Sequence, residues 1–233
     1  KNNPGKGGYL QMAQPTESAV AGLTKERPQT KDSVMATSLI GAHGLEHMYG
    51  HSFPVLVTAL YADLGLDPIQ VGLLSAVRQL SSGATSMASG FFVDMFQHRQ
   101  AQVLAFSMAL IGIGYFLVAI SPTYSLILAA LLIASAGSAL WHPPALGLLS
   151  QRFPERRGLF ISLHRSSGNI GDMAGPLIAG GLLVWLSFTG SWRWIMGGGT
   201  PVLVILALII LVVLWNVAGT RADPVDFASK LKI

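Results

Sequence analysis

The chain has no cysteine and little charge. Of its 233 residues only 11% are Asp, Glu, Lys or Arg, against about 25% in a soluble globular domain. Without cysteine there is no disulfide framework, no thiolate nucleophile and no sulfur-ligated metal. Enzyme signatures are missing too. There is no Gly-rich phosphate loop ending in Gly-Lys-Ser/Thr, no His-Glu-x-x-His and no Gly-x-Ser-x-Gly. Gly197-Gly-Gly199 lacks the lysine that a phosphate loop requires. No motif calls for a cofactor, and the chain is expected not to be an enzyme.

What the sequence has is apolar residues in long blocks. They make up 51% of the chain, and mean hydropathy is +0.53. That composition excludes intrinsic disorder and points to an integral membrane protein with the bilayer as partner. A hydrocarbon core about 30 Å thick takes ~20 apolar helical residues to cross. Six segments qualify, at about 34–62, 70–95, 100–120, 123–149, 158–186 and 192–217. The expectation is an all-α bundle of six transmembrane helices over 34–217. Residues 1–33, polar and broken by Gly and Pro, read as a disordered cytoplasmic tail without the apolar run of a signal peptide. Residues 218–233 read as a second cytoplasmic tail.

The formal charge is +4, but the basic residues sit at helix ends, so no nucleic-acid role follows. If six helices alternate, twelve Lys and Arg fall on one side: five in the N-terminal tail, then Arg99, Arg152, Arg156, Arg157, Arg221, Lys230 and Lys232. The other side has Arg193 alone, with Asp63 and Asp67. The excess of basic residues on cytoplasmic loops places both termini in the cytoplasm, in a cell inner membrane.

A weak internal repeat is present. Gly72–Gly90 aligns with Gly158–Pro176 at a shift that pairs helix two with helix five, matching Gly72/Gly158, Leu73/Leu159, Ser81/Ser167, Met87/Met173 and Ala88/Ala174. Repeats of about 34–120 and 123–217 hold three helices each. An odd number inverts the second copy in the membrane, as secondary transporters do. Helices one and four then correspond, and each carries a His shortly before a Pro: His51 before Pro54, and His142 before Pro143 and Pro144. The two adjacent prolines are expected to kink or break helix four.

Ionisable side chains inside a bilayer are costly unless they face protein or water. Helix one has His43, His47 and His51 at four-residue steps, forming one stripe, with Glu46 beside it. The stripe suits a cavity wall that binds substrate or relays protons, because imidazole titrates near neutrality. Interhelical hydrogen bonding is the plainer reading. His43, His47 and His51 are also weak metal candidates, lacking a clear further ligand. Helix two adds Arg78. Helix four adds Trp141 and His142 next to Ser138. Helix five adds His164, Arg165, Asn169 and Asp172. Arg78 or Arg165 is suited to an anionic group, or to balancing Glu46 or Asp172. The small-residue runs at Ser81–Gly90 and Gly168–Pro176 read as close-packing helix faces.

These features resemble one half of a major facilitator superfamily transporter. Gly90, Asp94 and Arg99 match that superfamily's loop signature between helices two and three, while Met95 and Gln97 depart from it. Ser191-Trp-Arg-Trp194 is also common there. Within the superfamily the chain is most similar to the fosmidomycin-resistance type of efflux transporter. Gly137-Ser-Ala-Leu-Trp-His-Pro143, Gly168-Asn-Ile-Gly171 with Gly175-Pro176, and His43-x-x-Glu46-His47-Met48 carry the likeness. In helix one Glu46-His47 replaces the group's Asn-Asp, which moves the acidic group by one residue. The resemblance implies a small-molecule efflux carrier working by alternating access, and the His and Glu46 stripe of helix one points to proton coupling, as an antiporter, through Glu46 or a neighbouring His. It also implies a second six-helix half: a C-terminal part of the same gene, a second copy, or another membrane protein. The rival reading is a six-helix subunit or assembly factor that does not transport.

Overall fold

A computed structural model describes residues 30–96 and 99–215. Seven α-helices and one short 3-10 turn account for the described residues, with no strand among them: α1 (Thr30–Leu64), α2 (Pro68–Met95), α3 (Gln100–Ile120), α4 (Tyr124–Arg152), the turn Pro154–Arg156, α5 (Arg157–Leu186), α6 (Ser191–Gly198) and α7 (Thr200–Leu214). In lipid a chain must satisfy its backbone polar groups internally, and helices do so within each segment. The expected tails at 1–29 and 216–233 lie outside the described residues. Thr30–Ser33, assigned to the tail from sequence, instead form the first turn of α1. Asp32 there suits the positive end of the helix and stands 3.9 Å from Arg152.

Four spans are long and apolar enough to cross a membrane: Gln100–Ile120, Tyr124–Arg152, Pro154–Leu186 and Ser191–Leu214. Helices α1 and α2 have the length, 35 and 28 residues, but their polar side chains dilute the hydropathy. The six expected segments are thus six helical rods, of which two are kept from being oily by what they carry. The sixth rod is divided. α6 ends at Gly199, where the Tyr49 ring of α1 fills the space a Cβ would need.

The expected break in α4 does not occur: the helix runs unbroken through Pro143 and Pro144. Pro54 and Pro176 likewise lie inside α1 and α5. Each proline removes a backbone donor from the preceding turn, and the structure shows what takes its place at Pro54: the carbonyl of Gly50 accepts a hydrogen bond from Arg78 Nη2 at 3.1 Å.

The main helix pairings are α1 with α5, α2 with α4, and α3 with α4, α6 and α7; α1 also touches α7. Exchanging first with fourth, second with fifth and third with sixth rods maps these pairings onto one another, whereas the lighter α4–α5 and α5–α6 contacts have no counterpart. Lipid tails are as apolar as leucine, so helices associate in a bilayer through close packing rather than the hydrophobic effect. Small residues make this packing possible. A Cβ at Gly137 would stand 2.8 Å from the Ser107 carbonyl, and one at Gly171 or Gly175 would run into the carbonyls of Gly44 or Met48.

Both ends of the bundle are pinned. At one end Tyr124 Oη donates to the Gln70 carbonyl at 2.7 Å, and Trp192 Nε1 donates to Asp63 at 2.9 Å. Arg193 donates to the carbonyls of Ala119 and Ser121, both at 2.8 Å, and so caps the end of α3. At the other end lie Arg99, Arg152, Arg156 and Arg157.

Candidate functional site: a polar cavity beside a histidine cluster

The glycines of α5 place the site. Gly168, Gly171 and Gly175 face α1 so closely that a Cβ at Gly168 would meet His43 Cε1 at 2.6 Å. This close approach brings His164 and Asp172 of α5 against the histidine stripe. His43 Nδ1 lies 2.7 Å from the His164 carbonyl, and the two imidazole rings stack at 3.7 Å. Asp172 Oδ1 lies 2.6 Å from His47 Nδ1 and 2.7 Å from His51 Nδ1.

Helix α4 closes the cluster from the other side. Ser138 Oγ donates to Glu46 Oε1 at 2.6 Å. His142 Nδ1 donates to the Ser138 carbonyl at 3.0 Å, and its Nε2 faces His43 Nε2 at 3.3 Å. Glu46 is only 4% exposed, and its second oxygen, Oε2, has no hydrogen-bond partner; the nearest cationic candidate, His47 Nε2, is 3.6 Å away. Four of the sequence candidates from α1 and α4, His43, Glu46, His47 and His142, are therefore brought to one point.

Beside them lies a cavity of about 370 Å³ formed by α1, α2, α3 and α4. Its wall includes Glu46, His47, His51, Arg78 and His142. Arg78 leans over the Phe53 ring at 4.8 Å and reaches Tyr115 Oη at 3.4 Å, so it is held within the bundle. It does not pair with Glu46, whose contacts are Ser138 and His47. Sequence reading missed Ser75, Gln79, Ser82, Tyr115 and Ser135 on the wall. Tyr115 carried a usable signal, as the only hydroxyl-bearing aromatic in α3.

The remaining candidates sit elsewhere. Trp141 is fully buried in the apolar core. His164 is 1% exposed behind His43 with both ring nitrogens unpartnered. Arg165 and Asn169 are exposed on α5. Asp172 pairs with His47 and His51 rather than with Arg165. In the loop signature, Arg99 is exposed at the start of α3 and Gly90 and Asp94 lie in the last turns of α2, the Asp94 side chain being outside the described ones.

Long apolar helices packed around a polar hollow define a polytopic α-helical membrane protein. Residues 42–231 match the family model of the Major Facilitator Superfamily, and the chain belongs to that superfamily. It is 25% identical over 203 residues to the fosmidomycin resistance protein of Escherichia coli K12, covering 85% of this chain and 48% of that protein. It is 24% identical over 177 residues to the MFS-type transporter YfnC of Bacillus subtilis 168, covering 74% and 43%. Identity to the multidrug resistance protein MdtH of Proteus mirabilis HI4320 is 25% over 170 residues, covering 72% and 41%. The chain spans about half the length of the curated relatives it matches.

Proposed function

We propose that the chain is half of a secondary active transporter that exports a small organic molecule across the inner membrane in exchange for protons. The observation that carries this reading is the polar cavity whose wall holds Glu46, His47, Arg78 and His142. Arg78 and His142 contact substrate there. Glu46 takes up and releases the proton, with His47 and His51 passing it toward Asp172. The names of two relatives, a fosmidomycin resistance protein and a multidrug resistance protein, support export as the direction. The basic residues gathered at one end support an orientation with both termini in the cytoplasm. Alternating access needs a second six-helix body against α2 and α5, and the greater length of the relatives supports one.

Inverted membrane vesicles from cells expressing the chain together with its second six-helix half test this, with fosmidomycin as probe and a fluorescent reporter of the proton gradient. Fosmidomycin is expected to dissipate the gradient, and Glu46→Gln to lower that flux at least tenfold. No response to fosmidomycin overturns the substrate class. An unchanged response in Glu46→Gln and His47→Asn overturns the proton route.

A further inference from the structure

Three imidazoles in the cluster have their Nδ1 atoms committed to acceptors. A carbonyl can only accept, so His43 Nδ1–H donates to His164 and His142 Nδ1–H donates to Ser138. His47 Nδ1–H donates to the Asp172 carboxylate at 2.6 Å. With Nδ1 protonated, each neutral ring carries its lone pair on Nε2. Those lone pairs point at one another and at a carboxylate. His43 Nε2 and His142 Nε2 stand 3.3 Å apart. His47 Nε2 stands 3.6 Å from Glu46 Oε2, which has no hydrogen-bond donor although it is buried. One donor atom from each of His43, Glu46, His47 and His142 lies within 4.8 Å of all the others.

Converging lone pairs repel unless something positive stands between them. An N–H···N hydrogen bond would serve the His43–His142 pair alone and would leave His47 Nε2 facing the donor-free Glu46 Oε2. A metal ion serves all four at once. Two ligands of a tetrahedral ion at about 2.0–2.1 Å stand about 3.3 Å apart; the His43–His142 pair already has that separation, His47 and Glu46 stand 3.6 Å apart, and the four donors, all within 4.8 Å of one another, close inward as the ion binds. The outer shell is also in place. Each imidazole is oriented by a carbonyl or carboxylate on its far nitrogen, and Ser138 holds the other oxygen of Glu46. Metal-binding histidines are almost always held in this way.

We propose that His43 Nε2, His47 Nε2, His142 Nε2 and Glu46 Oε2 form a binding site for a divalent transition-metal ion of the Zn²⁺, Co²⁺ or Ni²⁺ class. Three imidazoles and one carboxylate select such borderline ions over Mg²⁺ and Ca²⁺, which prefer all-oxygen shells. The ion reaches the site from the cavity, since Glu46, His47 and His142 form part of its wall. The inference goes beyond the transport reading: an ion on Glu46, His47 and His142 occupies groups that the proposed proton and substrate route uses, so a loaded site is expected to hold that route closed, and binding itself is read without any gradient or substrate.

The test is a Co²⁺ titration of the purified, tag-free chain in detergent. The intense visible bands of tetrahedral Co²⁺ are expected to saturate at one ion per chain and to vanish on adding Zn²⁺. His43→Gln and His142→Gln are expected to weaken binding at least tenfold, and Asp172→Asn by about 10–100-fold through lost orientation of His47. X-ray absorption of the Zn²⁺-loaded unaltered chain keeps the test independent of how the variants fold, and is expected to show a shell of imidazole nitrogens with one oxygen. No Co²⁺ uptake above a detergent blank overturns the site. So does an octahedral aquo-type spectrum, a zinc shell of oxygens alone, or binding unchanged in both histidine variants.

Discussion

Pro54 shows how one residue sets another's task. A proline in a helix interior has no N–H to give, so the Gly50 carbonyl loses its helical donor. Arg78 supplies the replacement at 3.1 Å and is thereby fixed at the cavity wall. A guanidinium has five donors in a planar fork, and with two directed at Gly50 and Tyr115 the rest remain for a ligand. Glycine acts by absence in the same way. Gly171 and Gly175 sit where an added Cβ would strike the α1 backbone, whereas Gly181 on the same helix has nothing within 4 Å. Gly171→Ala and Gly175→Ala are therefore expected to cost roughly 1–3 kcal/mol each, read as a lower melting temperature in detergent. Gly181→Ala is expected to leave it unchanged or slightly higher, since alanine favours helix. Equal melting temperatures for all three would remove the close-packing role of this face.

At the scale of elements, the hydropathy of each helix reflects what it faces. α3, α4, α5 and the α6–α7 rod read as spans, although α3 and α4 also give Tyr115, Ser135, Ser138 and His142 to the cavity wall, whereas the polar load of α1 and α2 is heavy enough that they do not. α1 is the extreme case: His43, Glu46, His47 and His51 interrupt a 35-residue helix that is otherwise rich in apolar side chains. The short α6 is a clamp. Its Arg193 caps α3 and lies over the Trp192 ring at 4.3 Å, while Trp192 reaches Asp63 at the end of α1. Arg193→Ala exposes two carbonyls that a charged donor satisfied, which is expected to destabilise the bundle by about 1–3 kcal/mol. Thermal unfolding checks this, with Arg193→Lys expected to fall between the two. An unaffected melting temperature in Arg193→Ala would mean that water replaces the cap without cost.

For the molecule as a whole, the notable surface belongs to α2 and α5. Each packs chiefly on one neighbour, and only 17% of the apolar window of α5 is buried, against 56% for α3 and 22% for the α6–α7 rod. Met87 on α2 is 89% exposed and Met173 on α5 is 66% exposed. These two aligned positions of the repeat are where the proposed second body would pack. The lack of cysteine makes the test clean. Met87→Cys and Met173→Cys in membranes are expected to crosslink into a larger species with a short maleimide–benzophenone reagent, whose maleimide takes the introduced thiol and whose photoexcited ketone inserts into a C–H bond of whatever packs there, whereas Val212→Cys on the outer face of α7 is expected to stay uncrosslinked. Crosslinking equal at all three positions, or at none, would remove the second body from this face.

The sequence by itself determined the membrane class and the six helical segments. Those depend on composition, run length and periodicity, which are properties of neighbours along the chain. It also marked His43, Glu46, His47, His51, Arg78 and His142, because charge in an apolar run stands out in any window. It did not reveal that α4 stays whole through two prolines, or that Asp172 serves two histidines rather than Arg165. Nor did it show that three imidazoles and a buried carboxylate converge across two helices. Such outcomes depend on the rotation of one helix against another and on a glycine face letting α5 approach α1. Only tertiary packing sets those distances, because residues about a hundred positions apart carry no shared periodicity in the sequence.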